Sequence, residues 1–377
     1  MYAATLQTGQ YDTATNTANM AYYLDGKLLQ GTYPSNTLAN PKLRWERSKQ
    51  FDLGLDLRFF SSRLTATIDY YNKLTDGLLI QSVAPLTTGT QHVYQNLGKV
   101  QNTGWEFELE WRDHIGDFSY GIKANLATVK NKVKEYKGEG TRISGSRLLG
   151  ADSYFTYFEE GYPLWYIRGY QLDGVNATTG EAVYHDFNGD GQITDDDRTD
   201  LGSAIPDFTY GLTLSAAYKG FDINIYGAGA QGNKLVYAMM DTNVSWQNRP
   251  MFTYEGRWTS GNTNATMPGA LYQINDKRFY NSDAFVFNAS YFKIKQIQLG
   301  YTLPKSIAGK AGLETVRAYV SLDNFFTFTD YPGCDPELNA AASTSTTAGY
   351  GGASSLALDY GGYPMAKSVS VGLNVAF

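Results

Sequence analysis

The chain has 377 residues, a formal net charge of −6, 39 Gly, 30 Tyr and 19 Phe, and charged residues make up only 18%. That fraction lies below the about 25% usual for soluble domains, and no Lys/Arg cluster stands out along the chain, which excludes a nucleic-acid partner. One cysteine, Cys334, excludes an intramolecular disulfide framework, and no stretch approaches the about 18 consecutive apolar residues of a transmembrane helix.

Tyr and Trp gather where an apolar layer meets water, so an aromatic-rich, charge-poor chain raises the question of a membrane. Mean hydropathy is −0.36, so any membrane signal has to be carried by alternation. The opening Met-Tyr-Ala-Ala-Thr has neither a basic nor an apolar leader region. The expectation is therefore a piece of an exported protein, with residues 1–45 an outer loop or an incomplete upstream barrel segment and 46–377 barrel strands.

Alternation begins at Phe51, where Phe51, Leu53, Leu55, Leu57 and Phe59 interleave with Asp52, Gly54, Asp56 and Arg58. Successive side chains of a strand point to opposite faces, so this segment has one apolar and one polar face. After Ser61-Ser62 the pattern resumes with Leu64, Ala66, Ile68 and Tyr70. It is clearest where Trp105, Phe107, Leu109 and Trp111 oppose Glu106, Glu108, Glu110 and Arg112. A helix would scatter those glutamates, whereas a strand sets them in one row. That row is expected to face a polar lumen, neutralised by Lys or Arg from adjacent strands, and not to be a glycosidase pair, which needs an organised cleft.

Further strands are predicted at about 117–129, 207–219, 221–231, 291–303, 315–328 and 367–377, making nine. Their connections alternate between short ones, after 60, 112, 219 and 303, and long ones over 75–100, 130–206, 232–290 and 329–366. Tight periplasmic turns alternating with long outer loops are the pattern of an all-β, antiparallel transmembrane β-barrel. A β-sandwich explains the same strands but not the loop asymmetry or the outward aromatics. Nine cannot be a closed count for a single-chain bacterial barrel, so strands are expected upstream, in the first 45 residues, or within loops such as 165–172. The last strand sets Val369, Val371, Leu373, Val375 and Phe377 on one row, and Phe377 is read as an assembly signal.

One motif in the long connections is specific enough to name a ligand. Residues 186–197, Asp-Phe-Asn-Gly-Asp-Gly-Gln-Ile-Thr-Asp-Asp-Asp, fit the spacing of a calcium loop. Asp186, Asn188, Asp190, the Gln192 carbonyl, Thr194 and Asp197 would supply oxygen to Ca²⁺ around the turn at Gly191. Asp195 and Asp196 need not be ligands, and Asp195 is expected to be solvated. Trp165, Trp246 and Tyr272 are candidates for stacking on sugar rings. His92, His114 and His185 have no metal-ligand spacing, and no nucleophile elbow, phosphate loop or zincin motif is present, so no enzyme is expected.

From residue 40 onward an ordered series of short pieces resembles the SusC-like (SusC/RagA type) TonB-dependent outer-membrane transporters. It comprises Leu43-Arg44-Trp45-Glu46, Ile68-Asp69-Tyr70-Tyr71, Asn102-Thr103-Gly104-Trp105-Glu106, the 186–194 stretch, Pro206-Asp207-Phe208, Arg257-Trp258-Thr259, Ser290-Tyr291-Phe292-Lys293-Ile294-Lys295, Leu299-Gly300-Tyr301-Thr302-Leu303-Pro304, Asp323-Asn324 and Asp335-Pro336-Glu337. The resemblance implies the C-terminal part of a 22-stranded barrel, a plug and a TonB-contact motif that are not visible here, and a cell outer membrane location in contact with lipid. It also implies a SusD-like surface lipoprotein as partner and import of glycans or peptides. The alternative is a passive porin-like or structural, adhesin-anchoring barrel.

Overall fold

The computed structural model describes residues 11–13, 21–30, 32–34, 37–88, 90, 92–148, 153–239, 248–337 and 354–377. Among these described residues nine long strands carry the architecture: β1 Arg47–Phe59, β2 Leu64–Val83, β3 His92–Ile115, β4 Phe118–Thr128, β5 Phe208–Tyr218, β6 Phe221–Gln231, β7 Tyr291–Thr302, β8 Thr315–Thr329 and β9 Ser368–Ala376. Each pairs antiparallel with the next in chain order, forming one continuous meander. Two short segments, Thr37–Leu38 and Lys130–Tyr136, add to β3.

The tight turns have local causes. Lys219 and Gly220 both adopt positive φ, at 46° and 88°, the backbone of a two-residue hairpin turn whose twist matches its strands. Phe60, Ser61 and Ser62 hold three positive φ values in succession between β1 and β2.

Register then sorts the two faces. One row runs Leu57, Ala66, Leu109, Ala124 and Leu212 across five strands, and the adjacent row runs Asp56, Thr67, Glu108, Asn125 and Gly211. Leu55 and Leu109 are 54% and 50% exposed, so the apolar face is not a protein core. An apolar face this extensive is compatible with water only if lipid or protein covers it. Gly104 sits on the polar side because Tyr71 crosses over it and donates to the Thr128 carbonyl at 3.1 Å; a Cβ there would fall 2.6 Å from the Tyr71 hydroxyl oxygen.

The connection expected over 75–100 is mostly strand. β2 continues to Val83 and β3 starts at His92, so only 84–91 intervene. The register shifts between Asp76 and Leu79, where Gly77 takes φ +72°, and this bulge breaks the two-residue period that sequence reading relies on. The freed backbone groups find partners: Glu46 accepts from Leu79 N–H at 2.7 Å, and the Asn96 amide donates to the Gly77 and Arg44 carbonyls. The segment 165–172 does contain a strand, Tyr166–Gly169, but it joins a separate four-stranded sheet and not the wall. Much of 1–45 lies outside the described residues; within it Ala21–Leu24 pairs with Lys27–Gln30.

The buried core sits in the outer connections. Leu148, Phe155 and Ile167 from the first long connection pack with Val236, Phe279 and Phe285 from the second and Leu358 from the third. Strand Lys234–Tyr237 pairs antiparallel with Val286–Asn288 and parallel with Leu358–Asp359. The three connections thus form one packed cap on the wall.

Candidate functional site

The cap is fastened to the wall by charge. The register shift at Lys295 in β7 faces an irregular stretch of β8, where Asn324 has φ +59°. A bulge re-aims a side chain, and here Lys293 and Lys295 both reach Glu337. Lys293 also pairs with Asp335, and both are buried. Burial pushes the Glu337 pKa up, but Lys295 and Lys293 outweigh it and hold the carboxyl below its usual range. Nearby, Tyr331 donates to Asp359 at 2.7 Å, tying the two ends of the third connection together.

The 186–197 loop is fastened by two arginines. Arg198 donates to Asp195 at 2.7 Å, to the Tyr157 hydroxyl at 2.9 Å and to the Arg168 carbonyl at 2.7 Å, and its guanidinium lies over the Tyr157 ring. Arg168 donates to the Asp195 carbonyl at 2.7 Å and to its carboxylate at 3.3 Å. Asp195 keeps 67% of its side chain exposed, as expected, but is also ion-paired: against partial desolvation, Arg198 and Arg168 hold its carboxyl below the usual range. Both arginines are buried, so the pairing satisfies cations that would otherwise stand alone in the cap.

Two of the expected calcium ligands have other work. Asp197 is fully buried and accepts from Phe187 N–H at 3.1 Å and Thr194 N–H at 2.7 Å, so its oxygens close the loop upon itself. Those N–H bonds, Thr194 first, hold its pKa below the ordinary carboxylate range. The Thr194 hydroxyl caps the short helical turn 195–197 by accepting from Asp196 N–H. Asp186, Asn188 and Asp190 remain on the exposed limb, where Asp186 accepts from Gly189 and Gly191 N–H at 2.7 and 2.8 Å, and Asp190 from Gln192 N–H at 2.7 Å. Among the described residues no three His, Cys, Asp or Glu side chains converge as a metal-ligand group. His185 pairs with Asp173 at 3.0 Å and packs edge-on against Phe187.

The aromatic candidates separate. Trp165 is 7% exposed and packs with Phe158, Val100 and Val133, so its ring is core and not a stacking platform. Tyr272 is half-buried on the helix Ala270–Asn275, away from that cluster. Trp246 lies outside the described residues. Trp258 donates to the Ala177 carbonyl at 2.9 Å and lies against Gly180, bridging two connections as structure. On the wall, Glu108 pairs with Lys123 of β4 at 2.8 Å and Glu110 with Arg112, whereas Glu106 faces Asp69 across β2. Phe377 is 96% exposed and follows the last paired residue, Ala376. The Lys293–Asp335–Glu337–Lys295 cluster was not singled out by sequence reading, although its two halves are pieces of the family series; 42 residues separate Lys293 from Asp335.

A model of the TonB dependent receptor-like β-barrel matches residues 2–324. The chain belongs to that family. TonB-dependent receptor P3 of Formosa agariphila is 33% identical over 357 residues, covering 90% of this chain and 35% of the relative. The TonB-dependent receptor SusC of Bacteroides thetaiotaomicron is 24% identical, covering 90% of this chain and 32% of SusC. The fold matches the RagAB peptide transporter with a TM-score of 0.79 at 23% identity, over 99% of this chain and 38% of that one. The chain thus spans about a third of the length of the TonB-dependent receptors it resembles, and its nine-strand meander is a portion of their barrel wall.

Proposed function

We propose that the full-length protein is an outer-membrane, TonB-dependent importer of glycans or peptides that works with a SusD-like surface lipoprotein. The observation that carries this reading is the wall itself, with an apolar outward face, a polar inward face and all three long connections packed into one cap at one end. Family membership supports an energised route, since the relatives from Formosa agariphila and Bacteroides thetaiotaomicron are both named TonB-dependent receptors. A packed cap suits capture at the mouth, where a lipoprotein lid would close over ligand before inward release. Uptake of labelled oligosaccharides and oligopeptides, compared with and without TonB and the neighbouring lipoprotein, tests it. Uptake that is indifferent to both would favour the passive barrel instead.

We further propose that the exposed limb of loop 186–197 holds Ca²⁺ weakly. Each carboxylate oxygen has two lone pairs, so an Asp186 oxygen that accepts one N–H keeps a lone pair for a cation. Asp186, Asn188, Asp190 and the Gln192 carbonyl are the ligands this reading retains, with water completing the shell.

A further inference from the structure

Along the sequence the basic residues are dispersed, but the strand register collects several on one outward surface. Val133 and Val100 face each other across the pair formed by Lys130–Tyr136 and β3, and both are buried inside under the cap. Alternation therefore turns Lys130 and Lys132 outward. In the same outward rows, Lys130 lies level with Phe51, Asn72 and Thr103, and Lys132 with Lys49, Leu74 and Gln101. One row higher stand Arg47, Asp76 and Lys99. Lys99 is paired with Asp76 at 3.6 Å and with Glu135 at 3.0 Å, and Lys137 with Glu135 at 3.2 Å.

Among the described residues, Arg47, Lys49, Lys130 and Lys132 have no carboxylate within ion-pair distance, and all four are exposed. Asp200 and Asp207 border a cleft of about 360 Å³ beside Lys130 and Lys132 but pair with neither. Immediately below these rows the outward face carries Tyr70 packed on Trp105, ring centroids 5.0 Å apart, and then the apolar belt. At about 3.3 Å per residue, Lys130 and Lys132 stand only one and two outward rows above that aromatic pair. Aromatic residues mark the level where hydrocarbon gives way to headgroups. The long connections lie on the same side, so this is the outer leaflet.

We propose that this face binds a phosphate-bearing headgroup of an outer-leaflet lipid. The inference rests on the outer-membrane reading above. Charge complementarity and continuity with the lipid-facing belt both select that occupant. Each basic residue near an anionic lipid surface adds attraction, so several together discriminate strongly between charged and uncharged headgroups.

The test uses the full-length protein in neutral detergent, with lipid A and enzymatically dephosphorylated lipid A as the two probes and native mass spectrometry as readout. Wild type is expected to retain the phosphorylated form at least about tenfold better. The variant Lys49→Gln/Lys130→Gln/Lys132→Gln should lose that preference, while lumen-facing Lys123→Gln keeps it. Equal retention of both probes by wild type overturns the inference, and so does an undiminished preference in the triple variant. If the triple variant does not fold, the wild-type comparison alone decides. Protein that fractionates away from the outer membrane sinks the functional reading as well. Correctly inserted protein without phosphate preference sinks only this inference.

Discussion

Lys293 of β7 and Asp335 of the third outer connection form an ion pair whose side chains are only 4% and 5% exposed. Both charges have left water, so each depends on the other, and removing one partner of such a pair costs about 3–5 kcal/mol. Lys293→Met is therefore expected to loosen the third connection and expose it to protease, with the wall still folded by heat-modifiable mobility. Lys293→Met/Asp335→Asn should be milder than the single change, because no unpaired charge is left buried. Equal protease sensitivity of the two variants would show that the pair is not coupled.

Acid is expected to release the cap before it harms the wall. Glu337 is held low by Lys295 and Lys293 against its burial, the exposed Asp195 by Arg198 and Arg168 against partial desolvation, and Asp197 by the N–H of Thr194 and its neighbours. A depressed folded pKa contributes stability that is present above the unfolded value, about 3.9 for Asp and 4.3 for Glu, and lost as pH falls through the folded value. Asp283 works in the opposite sense, because burial raises its pKa. These depressed groups, joined by Glu135, which hydrogen bonds from Lys99 and Lys137 hold low, outnumber the one raised group and predict net loosening below about pH 4. Pepsin nicking within 130–206 and 329–337 across that range is the measurement, and a flat profile would contradict it.

Facing can be tested at two adjacent residues. Leu109 lies on the outward row between Ala66 and Ala124, while Glu108 faces inward and pairs with Lys123. A charge on the lipid side costs about 2–4 kcal/mol near the bilayer midplane. Leu109→Arg should sharply lower the amount of folded protein, whereas Glu108→Arg loses one partly exposed ion pair and should be mild. Comparable losses at both positions would mean that the register is wrong.

Trp165 and Tyr272 should diverge in the same way. Truncating a buried Trp costs about 3–5 kcal/mol, and Trp165 fills the cluster with Phe158 and Val133. Trp165→Ala is expected to destabilise the cap to heat and protease. Tyr272→Ala should leave cap stability close to wild type, and ligand binding by that variant then reports whether the ring contacts ligand.

Calcium titration of the full-length protein should protect the 186–197 loop from proteolysis with a Kd of about 10⁻⁴–10⁻³ M. Asp186→Asn/Asp190→Asn should abolish that protection. Asp197→Asn should instead weaken the loop with or without calcium, since its carboxylate accepts from Phe187 and Thr194 N–H. No heat and no protection on adding calcium would remove the ion from the account.

The wall was legible in the sequence because its code is local. A strand alternates every two residues, so Trp105, Phe107, Leu109 and the glutamates between them declare their faces without reference to any other segment. The nine strands, their order and their short turns follow from that alternation and from positions such as Lys219-Gly220. Where a bulge interrupts the period, as at Gly77, sequence reading ended β2 too early. The calcium-type spacing was also visible, yet spacing does not say where an oxygen's lone pairs go. Tertiary structure alone decided that Asp195 meets Arg168 and Arg198, that Trp165 is core, that Lys293 finds Asp335, and that Lys49, Lys130 and Lys132 share one outward surface. Each of these depends on contacts between distant segments, set by register and by packing in the cap, and a pattern of period two carries no information about which distant residue will stand opposite.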